Sequence, residues 1–362
     1  MYNSLRPYLF RLEPEQAHAL TLNVLRLAGA SPFQWALKQL FKAPEHPVEA
    51  FGLKFKNPVG LAAGYDKDGL ALYGLDALGF GHIEIGTVTP LPQAGNPKPR
   101  IFRLVEDEAI INRMGFPSRG SAFVQMKLNP LLRTGLVERF IGLPSRRVPA
   151  PRCPLSARLG VNLGRNKDTP NEQAVFDYLA LLQNFAPLAD YLTINVSSPN
   201  TVGLRRLQGR EELEYLLTHL HAQRLLEQSR WERPVPLLVK LAPDLAADEL
   251  DDALEAILRT GMDGVIATNT TRAREGLRSN YQSETGGLSG SPLRARSEAV
   301  LHQIVKRVDG QIPVVSVGGI MNPEDAKRRL DMGATLVQVY TGLVYRGPGL
   351  VKEILRHIQP AR

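Results

Sequence analysis

The feature that most constrains this chain is a rhythm: a short apolar run, then a stretch of helical periodicity, repeated along most of its length. Eight runs carry it: Val59–Ala63, His82–Gly86, Leu159–Leu163, Tyr191–Val196, Leu237–Leu241, Gly264–Thr268, Pro313–Val317 and Thr335–Tyr340. Most are continuously apolar rather than alternating, as expected of parallel strands covered on both faces. Helical patterns over Glu172–Asn184, Glu211–Gln228, Ala247–Thr260, Pro292–Val308 and Pro323–Asp331 lie between them. Eight strand–helix units predict an α/β chain closed into a TIM-type (β/α)8 barrel, which takes about 250 residues. The 362 residues leave room for additions. A doubly wound open sheet is the other arrangement to weigh, but no G-x-G-x-x-G pattern follows the first run. The chain shows no fixed period of about 20–50 residues, so a solenoid is excluded.

Two segments fall outside the barrel. Ile101–Leu104 and Ala109–Asn112, joined by Val105–Glu108, predict an antiparallel hairpin inserted after the second strand, over the barrel top. The first 46 residues form a preface of two helices. Pro14–Ala28 is the first, stopped by Gly29; Ser31 caps the second, with Pro32 at its first position. That second helix carries Phe33, Trp35, Leu37, Leu40 and Phe41, with Lys38 and Lys42 near its end. Such large apolar side chains on short helices need a partner. Either they dock on the barrel, or they lie in a membrane interface and form an entrance for an apolar substrate. The division expected is therefore residues 1–46 and residues 47–362.

Composition removes other classes. With 43% hydrophobic and 22% charged residues, collagen-like, coiled-coil and disordered readings fall. No run of about 18 apolar residues exists to span a bilayer as a helix. A single cysteine, Cys153, excludes an internal disulfide framework, and no Cys/His cluster has zinc-ligand spacing, so no metal is expected. Charged residues break up the first sixteen positions, so they hold no signal-peptide core and a cytoplasmic setting is the expectation. The net charge is +8. Six basic residues (Lys127, Arg133, Arg139, Arg146, Arg147, Arg152) against Glu138 alone put +5 of it between 127 and 152. That stretch reads as a solvated basic connector or as a binding patch for an anion.

In such a barrel the working residues sit at the C-terminal ends of the strands. In strand order those ends hold Gly64-Tyr65-Asp66-Lys67, Thr87 and Thr89, Asn162, Asn195 to Asn200, Lys240, Thr268 to Thr271, Gly318-Gly319, and Tyr340-Thr341-Gly342. Strand ends do not need Asn, Lys or Thr for folding, so one concave polar site is implied on one rim. The amides of Asn162, Asn195, Asn200 and Asn269 suit a planar ligand with several C=O and N–H groups, and Lys67 and Lys240 add positive charge. Asp66, beside Lys67, reads by itself as a local salt-bridge or turn residue. Gly290, Gly318, Gly319 and Gly342 let backbone N–H groups approach a phosphate, at the corner where barrels often bind one. A phosphorylated planar cofactor with a small anionic planar substrate would use all of this.

The ordered motifs AAGYDK, GTVTPLPQAGNPKPR, INRMGF, NVSSPNTVGLR, VKLAPD, ATNTT, GGLSGSPL, VGGI and VYTGLVY resemble those of dihydroorotate dehydrogenase, from the N-terminus to about Gly349. The helical preface and the serine of NVSSPN resemble its class 2, the quinone-reducing, membrane-associated branch. VGGI alone would be weak, because many phosphate-binding barrels share it. The resemblance implies an FMN-dependent dihydroorotate:quinone oxidoreductase of de novo pyrimidine synthesis, attached peripherally to the cytoplasmic face of a bacterial inner membrane. FMN would meet Ala63, Gly64, Tyr65, Asp66, Lys67, Thr87, Asn162, Asn195, Lys240 and Thr268, with its phosphate at Gly290, Gly319, Tyr340 and Thr341. Dihydroorotate would be gripped by Lys67, Asn112, Arg113, Met114, Gly115, Phe116, Asn195, Asn200, Asn269 and Thr270. Ser198 would be the catalytic base that takes the C5 proton while hydride leaves C6. Arg103 and His18 match polar positions of the quinone tunnel, which Val344 would line where some relatives carry a polar residue.

The chemistry agrees with those roles. A C5 proton alpha to a carbonyl is moderately acidic, and amide donors can stabilise the developing enolate-like charge. Lys240 near the pyrimidine edge of the ring would favour the anionic reduced flavin. Serine is a weak base at its free pKa and needs a proton acceptor beyond it, for which a water path past Thr or Tyr hydroxyls is the expectation. This chain departs from the family at Tyr65, where Leu or Phe is common, and in a long connector from Leu131 to Leu155. Cys153 precedes the third strand and matches no catalytic position of the cysteine-using class 1. Two other readings stand beside this one. A dihydrouridine synthase acting on tRNA would use the +8 charge but expects cysteine where Ser198 stands; nucleic acid is therefore not an expected partner. A non-enzymatic, membrane-attached binding protein would carry no tightly bound flavin.

Overall fold

The computed structural model describes residues 2–30, 33–129 and 155–358. The strands are β1 Val48–Ala50, β2 Leu53–Phe55, β3 Val59–Leu61, β4 His82–Val88, β5 Ile101–Leu104, β6 Ala109–Asn112, β7 Arg158–Leu163, β8 Tyr191–Asn195, β9 Leu237–Leu241, β10 Gly264–Ala267, β11 Gly287–Gly290, β12 Val314–Val317 and β13 Leu336–Val339. The α-helices are α1 Tyr2–Arg11, α2 Pro14–Ala28, α3 Phe33–Leu40, α4 Leu72–Ala77, α5 Ser121–Leu128, α6 Ala174–Phe185, α7 Arg210–Trp231, α8 Ala247–Arg259, α9 Arg294–Val308, α10 Pro323–Asp331, α11 Thr341–Arg346 and α12 Leu350–His357. Eight strands close a parallel barrel in the order β3-β4-β7-β8-β9-β10-β12-β13, back to β3. This is the TIM barrel expected from the rhythm of apolar runs, and each of its strands falls on one of the eight predicted.

Those runs are apolar throughout because both faces are covered, yet the two faces differ. Side chains alternate in direction along a strand. One set, including Leu61, Ile83, Ile85, Val161, Leu192, Val239, Val265 and Val337, packs in the large core with the surrounding helices. The other set points into the barrel. There Ala62, Tyr191, Leu238, Ile266, Val315, Val317 and Leu336 make an apolar core, while Glu84, Asn162, Thr193, Lys240 and Gln338 are buried polar neighbours. The end at which the strands begin is sealed by the β1–β2 hairpin, which the sequence reading did not anticipate. Phe55 sets its ring edge-on to His82 at 5.6 Å, and Phe51 meets Tyr191 at 6.4 Å.

The inserted hairpin is present as β5 and β6, joined through a single 3-10 turn at Val105–Asp107. It gains a third strand that was not foreseen: β11 pairs antiparallel with β6, Gly287 opposite Asn112 and Gly290 opposite Ala109. The loop after β10 is thereby tied to the hairpin over the barrel top.

The N-terminal preface needs one correction. It holds three helices, not two, because Tyr2–Arg11 forms a helix of its own despite Pro7. Pro7 is the sixth residue of this helix, past the first four N–H groups that lack an intrahelical acceptor, so it removes one backbone bond and the helix relies on its docking contacts. Helix α2 has the predicted bounds, and the Glu13 carboxylate caps it by accepting the Gln16 N–H at 2.9 Å. The expected Ser31 cap, Pro32, Cys153 and the connector between 130 and 154 lie outside the described residues.

These helices dock on the barrel. Tyr2 donates to the Val344 carbonyl at 2.5 Å, and Phe10 meets Tyr345 edge-on at 5.3 Å. The Arg100 guanidinium clamps Glu15 of α2 with two bonds, of 2.7 and 3.2 Å. Lys38 of α3 reaches the buried carboxylate of Asp76 in α4 at 3.1 Å. Helices α2 and α4 approach so closely that a Cβ at Gly74 would stand 2.7 Å from the Leu25 carbonyl carbon. Their outer faces stay bare. Of the eighteen large hydrophobic side chains left exposed among the described residues, nine belong to these helices and their first connection: Leu5, Tyr8, Leu12, Leu20, Val24, Leu27, Phe33, Trp35 and Leu40. The docking reading of the preface holds for its inner face, and the outer face is left exposed.

Candidate active site

At the C-terminal ends of the strands one continuous cavity of about 530 Å³ opens, within the range of small-molecule sites. It has two ends of different character. The inner end is walled by Lys67, Thr87, Asn112, Asn195, Ser198, Asn200, Lys240, Thr268, Asn269 and Thr270. The outer end runs between α1 and α2 and is walled by Leu5, Leu9, Phe10, Ala17, Leu20, Val24 and Leu25.

The polar wall is a connected network rather than a set of separate groups. Asn195 Nδ2 donates to Asn162 Oδ1 at 2.9 Å and to Thr87 Oγ1 at 3.0 Å, and Thr87 in turn donates to Asn162 Oδ1 at 2.6 Å. Asn269 Nδ2 donates to Ser197 Oγ at 3.0 Å and to Asn195 Oδ1 at 3.3 Å. Asn200 Nδ2 donates to Asn112 Oδ1 at 3.2 Å, joining the loop after β8 to the hairpin. These bonds fix which amide atoms remain to face a ligand. Ser198 is buried on this wall, and its Oγ accepts the Asn200 N–H at 3.3 Å. Lys67 Nζ donates to the Gly64 carbonyl at 2.7 Å. Burial lowers the pKa of Lys67 to about 8, so it is charged at neutral pH with little to spare. Burial likewise lowers Lys240, against the pull of the Glu84 carboxylate 3.9 Å away.

The floor continues to a glycine turn. Gly318 and Gly319 have φ of +109° and +74°, a region L side chains avoid. The Gly318 carbonyl accepts from Ser297 Oγ at 2.7 Å and Arg329 Nη2 at 3.0 Å. Because a trans peptide sets C=O and N–H on opposite sides, this anchoring turns the Gly319 N–H the other way, away from the helices. Gly290, Gly319, Tyr340 and Thr341 all line this end, and Thr341 Oγ1 pairs with Ser289 Oγ at 2.8 Å.

A family model for dihydroorotate dehydrogenase matches residues 47–361. The chain belongs to the dihydroorotate dehydrogenase family. A relative from Idiomarina loihiensis, named dihydroorotate dehydrogenase (quinone), is 46% identical over 358 residues, 99% of this chain and 100% of that one. One from Yersinia pseudotuberculosis with the same name is 44% identical over 360 residues, 99% of each chain. Among solved structures, DHODH from Eimeria tenella in complex with ferulenol is similar with a TM-score of 0.80 and 39% identity, covering 95% of this chain and 90% of that one. The ligand-free form of that enzyme gives a TM-score of 0.77 at 40% identity, over 92% and 93%. The relatives place the chain in the quinone branch of this oxidoreductase family, and the family is flavin-dependent.

A flavin is planar, with C=O and N–H groups along one edge, and the residues present fit it. Lys240, Thr268, Asn195 and Gln338 converge on one wall, and the buried Gln338 Oε1 has no hydrogen-bond partner among the described residues. An acceptor left bare in such a place matches a ligand N–H.

Three residues expected to touch ligand have side chains off the cavity wall. The Asp66 carboxylate accepts the Leu70 and Ala71 N–H groups at 2.9 and 2.7 Å, which makes it the turn residue of the alternative reading. Arg113 pairs with Glu284 at 2.5 Å and lies over the Phe102 ring at 4.6 Å, on the far side of the loop. Asn162 is fully buried behind Thr87 and Asn195, so it supports the wall without forming it. The other expected family residues, from Ala63 and Tyr65 to Met114, Gly115 and Phe116, line the cavity.

His18, Arg103 and Val344, expected near a quinone, also line it. His18 sets its ring edge-on to Tyr65 at 5.1 Å, and burial with Lys67 nearby lowers its pKa to about 4, so it is neutral. Arg103 donates to the Phe10 carbonyl at 3.1 Å and stacks on the Phe10 ring at 4.2 Å.

Two further groups went unread. Arg205 donates to the carbonyls of Ser197 and Thr270 at 3.0 and 2.9 Å and pairs with Asp244 at 2.7 Å, binding three loops together. Its place inside NVSSPNTVGLR was the available signal. Glu84, in the apolar-looking run His82–Gly86, carried a weaker one: a carboxylate in a strand buried on both faces.

Proposed function

We propose that this protein is an FMN-dependent dihydroorotate dehydrogenase that passes its electrons to a membrane quinone. The observation that carries the reading is the two-ended cavity, which joins an amide-and-lysine wall to an apolar passage without interruption. The relatives named dihydroorotate dehydrogenase (quinone) support it. Bound FMN supplies a two-electron carrier that accepts hydride from one substrate and gives up its electrons to another.

The chain's own groups do the rest. Lys67 meets the substrate carboxylate, while Asn112, Asn195, Asn200 and Asn269 pair with the C=O and N–H edges of the pyrimidine ring and hold it in one pose. Ser198 Oγ takes the C5 proton, and the amides stabilise the charge that develops as it leaves. Gly290, Gly319, Tyr340 and Thr341 hold the cofactor phosphate.

The bare apolar faces of α1 to α3 are the reason for proposing a membrane. No helix among the described residues is long and apolar enough to cross one. Half-exposed side chains of this kind contribute roughly 1 kcal/mol each on transfer, which suits reversible attachment at an interface. The protein would then sit on the cytoplasmic face of a bacterial inner membrane, with residues 1–46 as the quinone-facing unit and 47–362 as the catalytic one.

Anaerobic addition of L-dihydroorotate to the purified protein should bleach its flavin absorbance. A flavin that stays oxidised would remove the substrate assignment. Deleting residues 1–46 should leave bleaching intact and depress turnover with long-tailed quinones; unchanged turnover would remove the passage.

A further inference from the structure

Inside the barrel lies a buried carboxylate, Glu84, to which the reaction above gives no role. It stands in the middle of β4, and groups from four other strands converge on it. Oε1 accepts from Asn162 Nδ2 at 2.8 Å and lies 3.9 Å from Lys240 Nζ. Oε2 accepts from Gln338 Nε2 at 3.0 Å, Thr193 Oγ1 at 3.2 Å and the Tyr191 hydroxyl at 3.4 Å. A carboxylate has about four lone-pair sites, so five neighbours saturate it. A charge held wholly away from water persists only when paired and hydrogen-bonded.

The titratable groups facing this pair are few. Tyr191 is kept neutral by burial and by Glu84 itself. His82, two residues back on the same face of β4, is neutral because burial lowers its pKa to about 3. Lys240 is thus the cation that answers Glu84, and Lys240 and Gln338 both reach the cavity wall.

We propose that Glu84 is a positioning residue that keeps Lys240 protonated and, with Gln338, fixes the polar floor beneath the flavin, thereby setting the reduction potential of the bound cofactor. The proposal rests on the FMN reading above. Desolvation disfavours the protonated form of Lys240, and Glu84 is the influence acting the other way. Two-electron reduction brings negative charge onto the flavin ring, which a charged Lys240 stabilises and a neutral one does not. Lys67 titrates near pH 8, but its neighbours are Asp66, Asp68, Arg100 and Glu15. It is shared by the unmodified protein and the variant, so it cancels in a comparison.

The test is the midpoint potential of the bound flavin between pH 6 and 9, for the holoenzyme and for Glu84→Gln. Relative to the unmodified enzyme, the potential of the variant should fall progressively as pH rises. At the alkaline end it should lose at least tenfold in the equilibrium constant for two-electron reduction, about 30 mV. On a Lys240→Met background the same Glu84→Gln change should produce no pH-dependent difference. Parallel curves at every pH would overturn the proposal. If Glu84→Gln does not retain flavin, thermal unfolding decides instead. Lys240→Met strands a buried carboxylate, so the double variant Lys240→Met/Glu84→Gln should unfold at higher temperature than the single one, and an equal or lower midpoint would overturn it. An unmodified protein without flavin would bring down the FMN reading first, before any variant is compared.

Discussion

Replacing Gly74 with alanine should separate the two halves of the reaction. Gly74 lies inside α4, against α2, with an ordinary right-handed φ that suits alanine, and helix propensity alone would favour the change by about 0.5–1 kcal/mol. The neighbour reverses the sign. The new Cβ would stand 2.7 Å from the Leu25 carbonyl carbon and 3.1 Å from its Cα, and closer still to the oxygen, where ordinary contact begins at 3.4 Å. That oxygen also accepts the Gly29 N–H at 2.9 Å, which closes the C-terminus of α2. Backbone cannot step aside as a side chain can, so α2 must retreat by roughly 1 Å, at an overpacking cost of about 1–3 kcal/mol. Net destabilisation is then about 0–2.5 kcal/mol, and the fold survives.

What moves is the passage wall, because Ala17, His18, Leu20, Thr21, Val24 and Leu25 all belong to α2. A misplacement of about 1 Å in a positioned site can lower a rate by about a hundredfold. Oxidation of pre-reduced enzyme by a long-tailed quinone, followed by stopped-flow absorbance, should therefore slow about ten- to a hundredfold. Anaerobic reduction by dihydroorotate should stay within about a factor of two, since the amide wall belongs to other elements. Equal losses in both half-reactions, or loss in neither, would refute the argument from helix position.

Three other outcomes are expected. Ser198→Ala should keep its flavin yet reduce it about 10²–10⁴-fold more slowly with dihydroorotate, as measured by anaerobic stopped flow; a loss below tenfold would sink the base assignment. Lys67, at about 8, becomes neutral as pH rises, so affinity for the anionic substrate should weaken by up to about tenfold per pH unit above that point. Orotate titrations between pH 7 and 10 would read it, and a flat profile counts against a charged Lys67 at the carboxylate. His82 has a folded pKa of about 3, and neither ring nitrogen has a partner among the described residues. The unfolded chain, near 6.5, binds the proton that the folded one refuses, so His82 costs nothing above pH 6.5 and about 1.4 kcal/mol for each unit below it, down to about 3. His82→Leu should flatten the acid limb of the urea-unfolding stability curve by one proton, and an unchanged limb would show that the imidazole finds water in the folded state.

The barrel was legible because each of its strands announces itself twice, as an apolar run and as the stop before a helix. The cavity was legible because Asn195, Lys240 and Asn269 gather with other polar residues at the strand ends of one rim, more than folding alone asks of such positions. What escaped was whatever depends on pairing distant in sequence. Nothing in Gly287–Gly290 announces a third strand, since four residues rich in glycine form one only by borrowing the edge of β6. Tyr2–Arg11 escaped because Pro7 reads as a breaker, although the helix is held by Tyr2, Arg6 and Phe10 against Val344 and Tyr345. Asp66 and Arg113 stand among residues that do line the cavity, and composition cannot tell which way a loop side chain turns. Here the backbone N–H groups of Leu70 and Ala71 drew one away and Glu284 the other.

The division of the barrel interior explains why one cavity can serve two such different partners. Strands β10 and β12 send Ile266, Val315 and Val317 inward and supply packing, whereas β4, β7, β8, β9 and β13 send Glu84, Asn162, Thr193, Lys240 and Gln338. A polar cluster of that size is tolerable in a core only when its members satisfy one another, and satisfied clusters hold a single arrangement. The rigid side of the site is thus built into the sheet itself. The apolar end rests on α1 and α2, docked through the Tyr2 and Arg6 bonds to the Val344 and Tyr345 carbonyls and the Glu15–Arg100 clamp. Local opening is easiest where buried contacts are fewest. A small, charged, planar substrate needs the first kind of wall to fix its reacting atoms, and a long flexible quinone tail, on the proposed reading, would need the second to let it in. On the reading proposed above, a wall of docked helices would suit the second partner as a wall of sheet suits the first.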